Sequence, residues 1–124
     1  MAEILLVSFG AILGANTRFK ISNQLENLQL SKSYSILIIN ICSSFILGFF
    51  LSIIEKFSSF IYYYQLLLFF SIGFLGSLST FSSFIYDLFG LCLQLKISRA
   101  FVIFVISTFL GILAFAFGFL SGNQ

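Results

Sequence analysis

The stretch Gly73-Phe74-Leu75-Gly76-Ser77-Leu78-Ser79-Thr80 decides how this chain folds. It lies in the middle of 39 residues, between Lys56 and Lys96, that carry a single charge, Asp87. A helix rises about 1.5 Å per residue and a bilayer core is about 30 Å thick, so this run is too long for one straight span. It is also short for two spans and a loop. Glycine weakens a helix, and hydroxyl side chains compete for its backbone groups. The pattern predicts one long span over 61–93, broken near 76–80. Irregular backbone at membrane depth survives only when it is buried in protein or lines a wet cavity.

Working outward, Ile4 to Ile21 forms a first span, interrupted near its end by Asn16, Thr17 and Arg18. Asn23 to Ser33 is polar and reads as a loop. Tyr34 to Ile54 has no charge and forms a second span closed by Glu55-Lys56. Lys96 to Arg99 reads as a loop, Ala100 to Leu120 as the last span, and Ser121 to Gln124 as a polar tail. The expectation is an all-α membrane protein, one domain over 1–124 with four transmembrane helices. Composition agrees: 60% of the 124 residues are apolar and 8% are charged, against about 25% charged in soluble domains. That excludes an ordinary water-soluble globule and a disordered chain.

The missing residue types narrow the chemistry. There is no His, the commonest general base and transition-metal ligand. An enzyme is therefore not expected. A net charge of +2, scattered along the chain, gives no footprint for nucleic acid. Cys42 and Cys92 sit in apolar stretches and read as small buried hydrophobes, not as a disulfide or zinc site. Met1-Ala2-Glu3 lacks a basic leader, so the first apolar run reads as mature structure and not as a signal peptide.

Small residues recur at Gly10-x3-Gly14, Ser44-x3-Gly48 and Gly111 with Gly118, spacings that let helix backbones approach closely in lipid. Four short helices make a thin bundle with little room for a pathway, so a dimer is expected. The first and third loops hold Arg18, Lys20, Lys32, Lys96 and Arg99, and the opposite side holds only Lys56. The positive-inside rule puts those two loops in the cytoplasm. The expected location is the plasma membrane, or the inner membrane of a cell with two, as a multi-pass protein.

Polar residues inside spans are costly and point to function. Asn16, Arg18, Asn40, Thr80, Ser82, Ser83, Asp87, Ser107 and Thr108 are the candidates. A lone Ser107 or Thr108 can simply bond back to its own helix. Asn40 reads either as interhelical glue or as an amide donor aimed at an anion. Phe81 and Phe84 are three apart and share a helix face. Aromatic edges are weakly positive, so two of them beside an amide would suit a small anion, although core packing accounts for such a pair too. Carbonyls freed at the break, from Gly76 and Ser79, could hold a hard cation.

These residues carry a resemblance. Gly73 to Phe84, read as Gly-Phe-Leu-Gly-Ser-Leu-Ser-Thr-Phe-Ser-Ser-Phe, resembles the third-span signature G-F-C-G-G-x-T-T-F-S-T-F of the CrcB, or Fluc, family of fluoride channels. Gly10-Ala11-x2-Gly14-Ala15-x2-Arg18-Phe19 is similar to the family's first span. Asn40-Ile41-x-Ser43-Ser44-Phe45-x2-Gly48 is similar to its second. In the fourth span the family often has Tyr eight residues before the glycine and a hydroxyl residue four on from it; here Ile103 and Ser107 stand at those places before Gly111, or alternatively Phe104 and Thr108 are the counterparts. The resemblance implies passive, fluoride-selective export that protects against fluoride toxicity. It implies a dimer of oppositely oriented subunits with two pores. Phe81 and Phe84 would be ring-edge ligands, Asn40 the adjacent amide, and Thr80, Ser82, Ser83, Ser107 and Thr108 hydroxyls of the pathway. Arg18 would attract anions near a vestibule, and the Gly76 and Ser79 carbonyls would hold a sodium ion at the dimer centre. Dual insertion wants little charge bias, so five cations against one leave two partners open: an identical copy, or an oppositely biased homologous subunit. A competing reading is a proton-coupled exporter of small cations or drugs that uses Asp87. A third is a non-transporting subunit of a larger membrane complex.

Overall fold

The computed structural model describes residues 1–29 and 31–124. Helix α1 is Ala2–Asn27, α2 is Lys32–Lys56, and α6 is Ile97–Asn123. Between them runs the third span, Tyr63–Leu93. It comprises α3 (Tyr63–Leu66), a π-helical segment (Leu67–Leu75), α4 (Gly76–Leu78) and α5 (Phe81–Leu93). All four spans are long and apolar enough to cross a bilayer, and the chain is a multi-pass membrane protein.

The first helix outruns its expected end by a turn and a half. Ser22 donates to Glu26 Oε1 at 3.5 Å, one turn along. Gln24 and Glu26 are good helix formers, so polar composition alone does not end the helix. Likewise α6 begins within the expected third loop. Both cysteines are exposed on the single chain, contrary to the expectation of burial. Apolar residues on the outside are ordinary where the surrounding solvent is lipid.

The bundle is two helix pairs. α2 lies along α6, and α1 lies along the π-helical segment and α4. Glycine makes both contacts possible. A Cβ on Gly10 or Gly14 would collide with the Phe69 or Phe74 carbonyl, and one on Gly48 or Gly118 with the Phe115 or Phe45 carbonyl. The expected small-residue stripes are thus helix seams. The apolar core sits beside the break: Ile39, Leu75 and Leu78, packed by Ile21, Leu25, Leu47, Phe70 and Phe74.

The break falls within the expected window, and glycine does not make it. Gly76 is helical (φ −62°, ψ −31°). Ser79 (ψ 151°) and Thr80 (φ −140°, ψ 116°) are extended. The widened π turn just before it was not legible in the sequence. Such wide turns cluster at functional sites.

Candidate functional site

Asn40, on α2, holds the break open. Its Oδ1 accepts from the Thr80 N–H at 2.9 Å, and its Nδ2 donates to the Thr80 carbonyl at 3.2 Å. The amide therefore replaces the Gly76 carbonyl that a continuous helix would give the Thr80 N–H, and adds a donor to the Thr80 carbonyl, which as an N-cap also serves the first turn of α5. This is the interhelical-glue geometry, and it leaves one of the two amide hydrogens uncommitted. Thr80 itself starts α5. Its Oγ1 accepts from the Ser83 N–H at 3.4 Å and donates to Ser83 Oγ at 3.3 Å, a normal N-cap.

These bonds release two acceptors. In an unbroken helix the Thr80 N–H would meet the Gly76 carbonyl, and the Ser83 N–H the Ser79 carbonyl. The first goes to Asn40 and the second to Thr80 Oγ1. Gly76 and Ser79 line a small cavity of about 90 Å³ together with Ser43, Ser44 and Ser71. Its donor atoms are neutral oxygens, and among the described residues no group of three or more His, Cys, Asp or Glu could hold a metal. Hard, uncharged oxygen suits a hard monovalent cation.

On the other face of the break is a groove of about 380 Å³ between α2, α5 and α6. Asn40, Phe81, Phe84, Ser107 and Thr108 all line it. Five of the sequence candidates thus converge. Phe84 is half-buried, with its ring held nearly parallel to Phe104, centroids 6.4 Å apart at 23°. Phe81 is 72% exposed on the single chain. Thr108 Oγ1 bonds back to the Phe104 carbonyl at 2.9 Å, the local alternative foreseen for it. Ser107 Oγ is shielded from solvent and has no partner among the described residues.

Other candidates lie elsewhere. Ser82 and Ser83 face a shallow pocket with Lys32 and Tyr86. Arg18 is half-buried on α1, the helix that packs on the first half of the third span. Asn16 and Thr17 bond back to the Ile12 and Leu13 carbonyls at 3.0 and 2.8 Å. Asp87 accepts from Ser33 Oγ at 3.0 Å, at the loop end of the bundle. Sequence reasoning missed Ser44, which borders both the groove and the carbonyl cavity. Its place four residues after Asn40, on the same helix face, was the available signal. Phe104, which the resemblance offered with Thr108 as an alternative counterpart in the fourth span, is the ring that lies against Phe84.

A family model described as "CrcB-like protein, Camphor Resistance (CrcB)" matches residues 5–119. The chain is 63% identical over 124 residues to "Fluoride-specific ion channel FluC 2" of Prochlorococcus marinus (strain NATL2A), covering 100% of each. It is 37% identical over 117 residues to "Fluoride-specific ion channel FluC 1" of Parasynechococcus marenigrum (strain WH8102), covering 94% of this chain and 90% of that one. It is 29% identical over 124 residues to "Fluoride-specific ion channel FluC" of Hydrogenovibrio crunogenus, covering 98% and 92%. With the four spans, the broken third helix and the aromatic groove beside it, these matches place the chain in the CrcB family.

Proposed function

We propose that this protein is a fluoride-selective channel that exports fluoride passively across the membrane and so protects the cell from it. The observation that carries this reading is the convergence of Phe81, Phe84, Asn40 and Ser107 on one groove directly beside a helix break. Fluoride is small and strongly hydrated, so a pore must replace its water with several donors. The free amide hydrogen of Asn40, the edges of the two rings and the Ser107 and Thr108 hydroxyls do that without the tight hold of a full charge pair. Conduction needs binding that is favourable and still escapable. No bond is made or broken, so no nucleophile or base is required. Hydrogen fluoride enters uncharged from acid surroundings and ionises inside, and the membrane potential then drives the anion out.

One chain supplies only part of the enclosure, since Phe81 is largely uncovered. The reading therefore includes a second, oppositely oriented subunit across this face, giving two pores per dimer in the plasma or inner membrane. That subunit is an identical copy or an oppositely biased homologue; flux from the purified chain alone selects the former. The freed Gly76 and Ser79 carbonyls fit a sodium ion between subunits, whose charge would lower the cost of an anion at low dielectric. The charge of Arg18 would draw anions to a vestibule.

The test is fluoride efflux from liposomes holding only this protein, with chloride as control. Rapid fluoride efflux without chloride efflux is expected. Equal passage of both ions, or of neither, overturns the reading.

A further inference from the structure

A second cavity of about 420 Å³ adjoins the groove: Leu37, Phe84 and Ser107 line both. The unpartnered Ser107 hydroxyl stands where they join. At the far end of that second cavity lie Lys96 and Arg99.

Their placement breaks a local rule. Lys96 is the N-cap of α6 and Arg99 is in its first turn, which contains no acidic residue. A helix N-terminus carries partial positive charge and repels cations. Two cations there, with no carboxylate in the turn, cost stability, and such violations mark sites where function outweighs folding. The turn is also rigid. Leu95 adopts the left-handed conformation (φ 59°), the Leu95 N–H donates to the Cys92 carbonyl at 3.0 Å, and the Lys96 N–H donates to the Leu91 carbonyl at 3.0 Å. This is the paired Schellman closure of α5, and it leads without slack into α6. The Lys96 ammonium donates to Gln94 Oε1 at 3.1 Å. Among the described residues the one acid lining the cavity, Asp87, is engaged by the Ser33 hydroxyl.

The geometry points to Lys96 and Arg99, with the N-terminus of α6, as the mouth that collects small anions and feeds them past Ser107 to the phenylalanine groove. Two side-chain charges and a helix end outweigh the single carboxylate, so the potential at the mouth is positive. This inference rests on the channel reading above and assigns the residues that set its throughput when fluoride is scarce. The competing account is that Lys96 and Arg99 only orient the chain in the bilayer. Efflux from liposomes reads both orientations, so the two accounts predict different results.

The experiment measures fluoride efflux from liposomes containing the full chain at low fluoride, in an impermeant salt at about 10 mM and about 1 M ionic strength, where the screening length falls from about 30 Å to about 3 Å. The Lys96→Gln/Arg99→Gln variant should lose about three- to tenfold at low salt and match the wild type at high salt, as a field effect on encounter requires. Lys96→Arg should conduct normally, and Lys56→Gln, at the opposite end, should behave as wild type in both salts. Equal flux from variant and wild type at low salt would overturn the inference. So would an equal loss at both salts, which would mean a structural defect. A wild-type chain silent to fluoride in both salts would overturn the channel reading and the mouth with it.

Discussion

Replacing Asn40 with alanine tests what keeps the third span broken. Both Asn40 bonds to Thr80 disappear, at 2.9 and 3.2 Å. Each is worth about 0.5–1.5 kcal/mol net, and stranding a buried N–H or C=O costs about 1–3 kcal/mol more. Thr80 is only 7% exposed, so neither group has ready access to water. Hydrogen bonds within membrane proteins measure nearer about 0.6 kcal/mol, which puts the total for an open break at about 2–4 kcal/mol. The chain has a cheaper way out. The Thr80 N–H can return to the Gly76 carbonyl and heal the helix. A shift of that size changes the ratio of broken to continuous span by roughly 30- to 1,000-fold. Overall stability then drops by less than the clamp is worth, while the groove loses its geometry. Fluoride efflux should fall by more than about threefold, up to the full change in that ratio, and hydrogen exchange should show the Thr80 amide with altered protection. Asn40→Asp should fail as well, because a carboxylate oxygen would face the Thr80 carbonyl. Efflux from Asn40→Ala within about threefold of wild type, a shift of under about 1 kcal/mol, with unchanged exchange at Thr80, would refute the clamp.

Phe84→Ile should abolish fluoride efflux while size-exclusion chromatography shows the assembly intact; normal efflux would remove the ring from the pathway. Gly118→Ala should destabilise the bundle by about 1–3 kcal/mol or more in detergent unfolding, because the new methyl meets the Phe45 backbone. Gly76→Ala should leave folding intact, since its nearest neighbour would be the Ser71 carbonyl at 3.8 Å. Leu95→Gly should raise stability by about 1 kcal/mol, because a leucine there carries the left-handed penalty that glycine escapes. Replacing sodium with a bulky organic cation should destabilise the assembly or stop efflux, and indifference would argue that Gly76 and Ser79 hold no ion.

The four spans were legible because lipid imposes a coarse rule, about twenty apolar residues per crossing, and only local composition is needed to apply it. The break was legible for a related reason. A run of 39 residues with one charge fits neither one span nor two. Its cause was not. Glycine looked responsible, yet the extended residues are Ser79 and Thr80, and the device that fixes them is an asparagine forty positions earlier. No periodicity links Asn40 to Thr80, and only tertiary packing makes them neighbours. The same limit hid the sorting of the hydroxyls. Thr80, Ser82, Ser83, Ser107 and Thr108 look alike in sequence, but the first caps a helix, the next two face a separate pocket, and the last two reach the groove. The π turn over Leu67–Leu75, against which Gly10 and Gly14 of α1 pack, left no mark in the local sequence pattern.

Under the proposed reading one structural fault would serve two ions of opposite charge, and the backbone groups at the break supply a reason. Opening a helix at membrane depth frees donors and acceptors that must find partners. Here three of those donors find partners. The Ser79 N–H still reaches the Leu75 carbonyl at 3.1 Å, the Thr80 N–H goes to Asn40, and the Ser83 N–H goes to Thr80 Oγ1. Among the acceptors this leaves without a helical donor are the Gly76 and Ser79 carbonyls, whose residues border a small cavity beside the third span. The clamp spends only one Asn40 hydrogen, so a spare donor remains beside the groove of Phe81 and Phe84 on the other side. The cavity thus offers carbonyl and hydroxyl oxygens, and the groove offers an amide hydrogen and ring edges. A cation and an anion brought to this break would be drawn to opposite faces, and each would lower the cost of holding the other in a low-dielectric bundle.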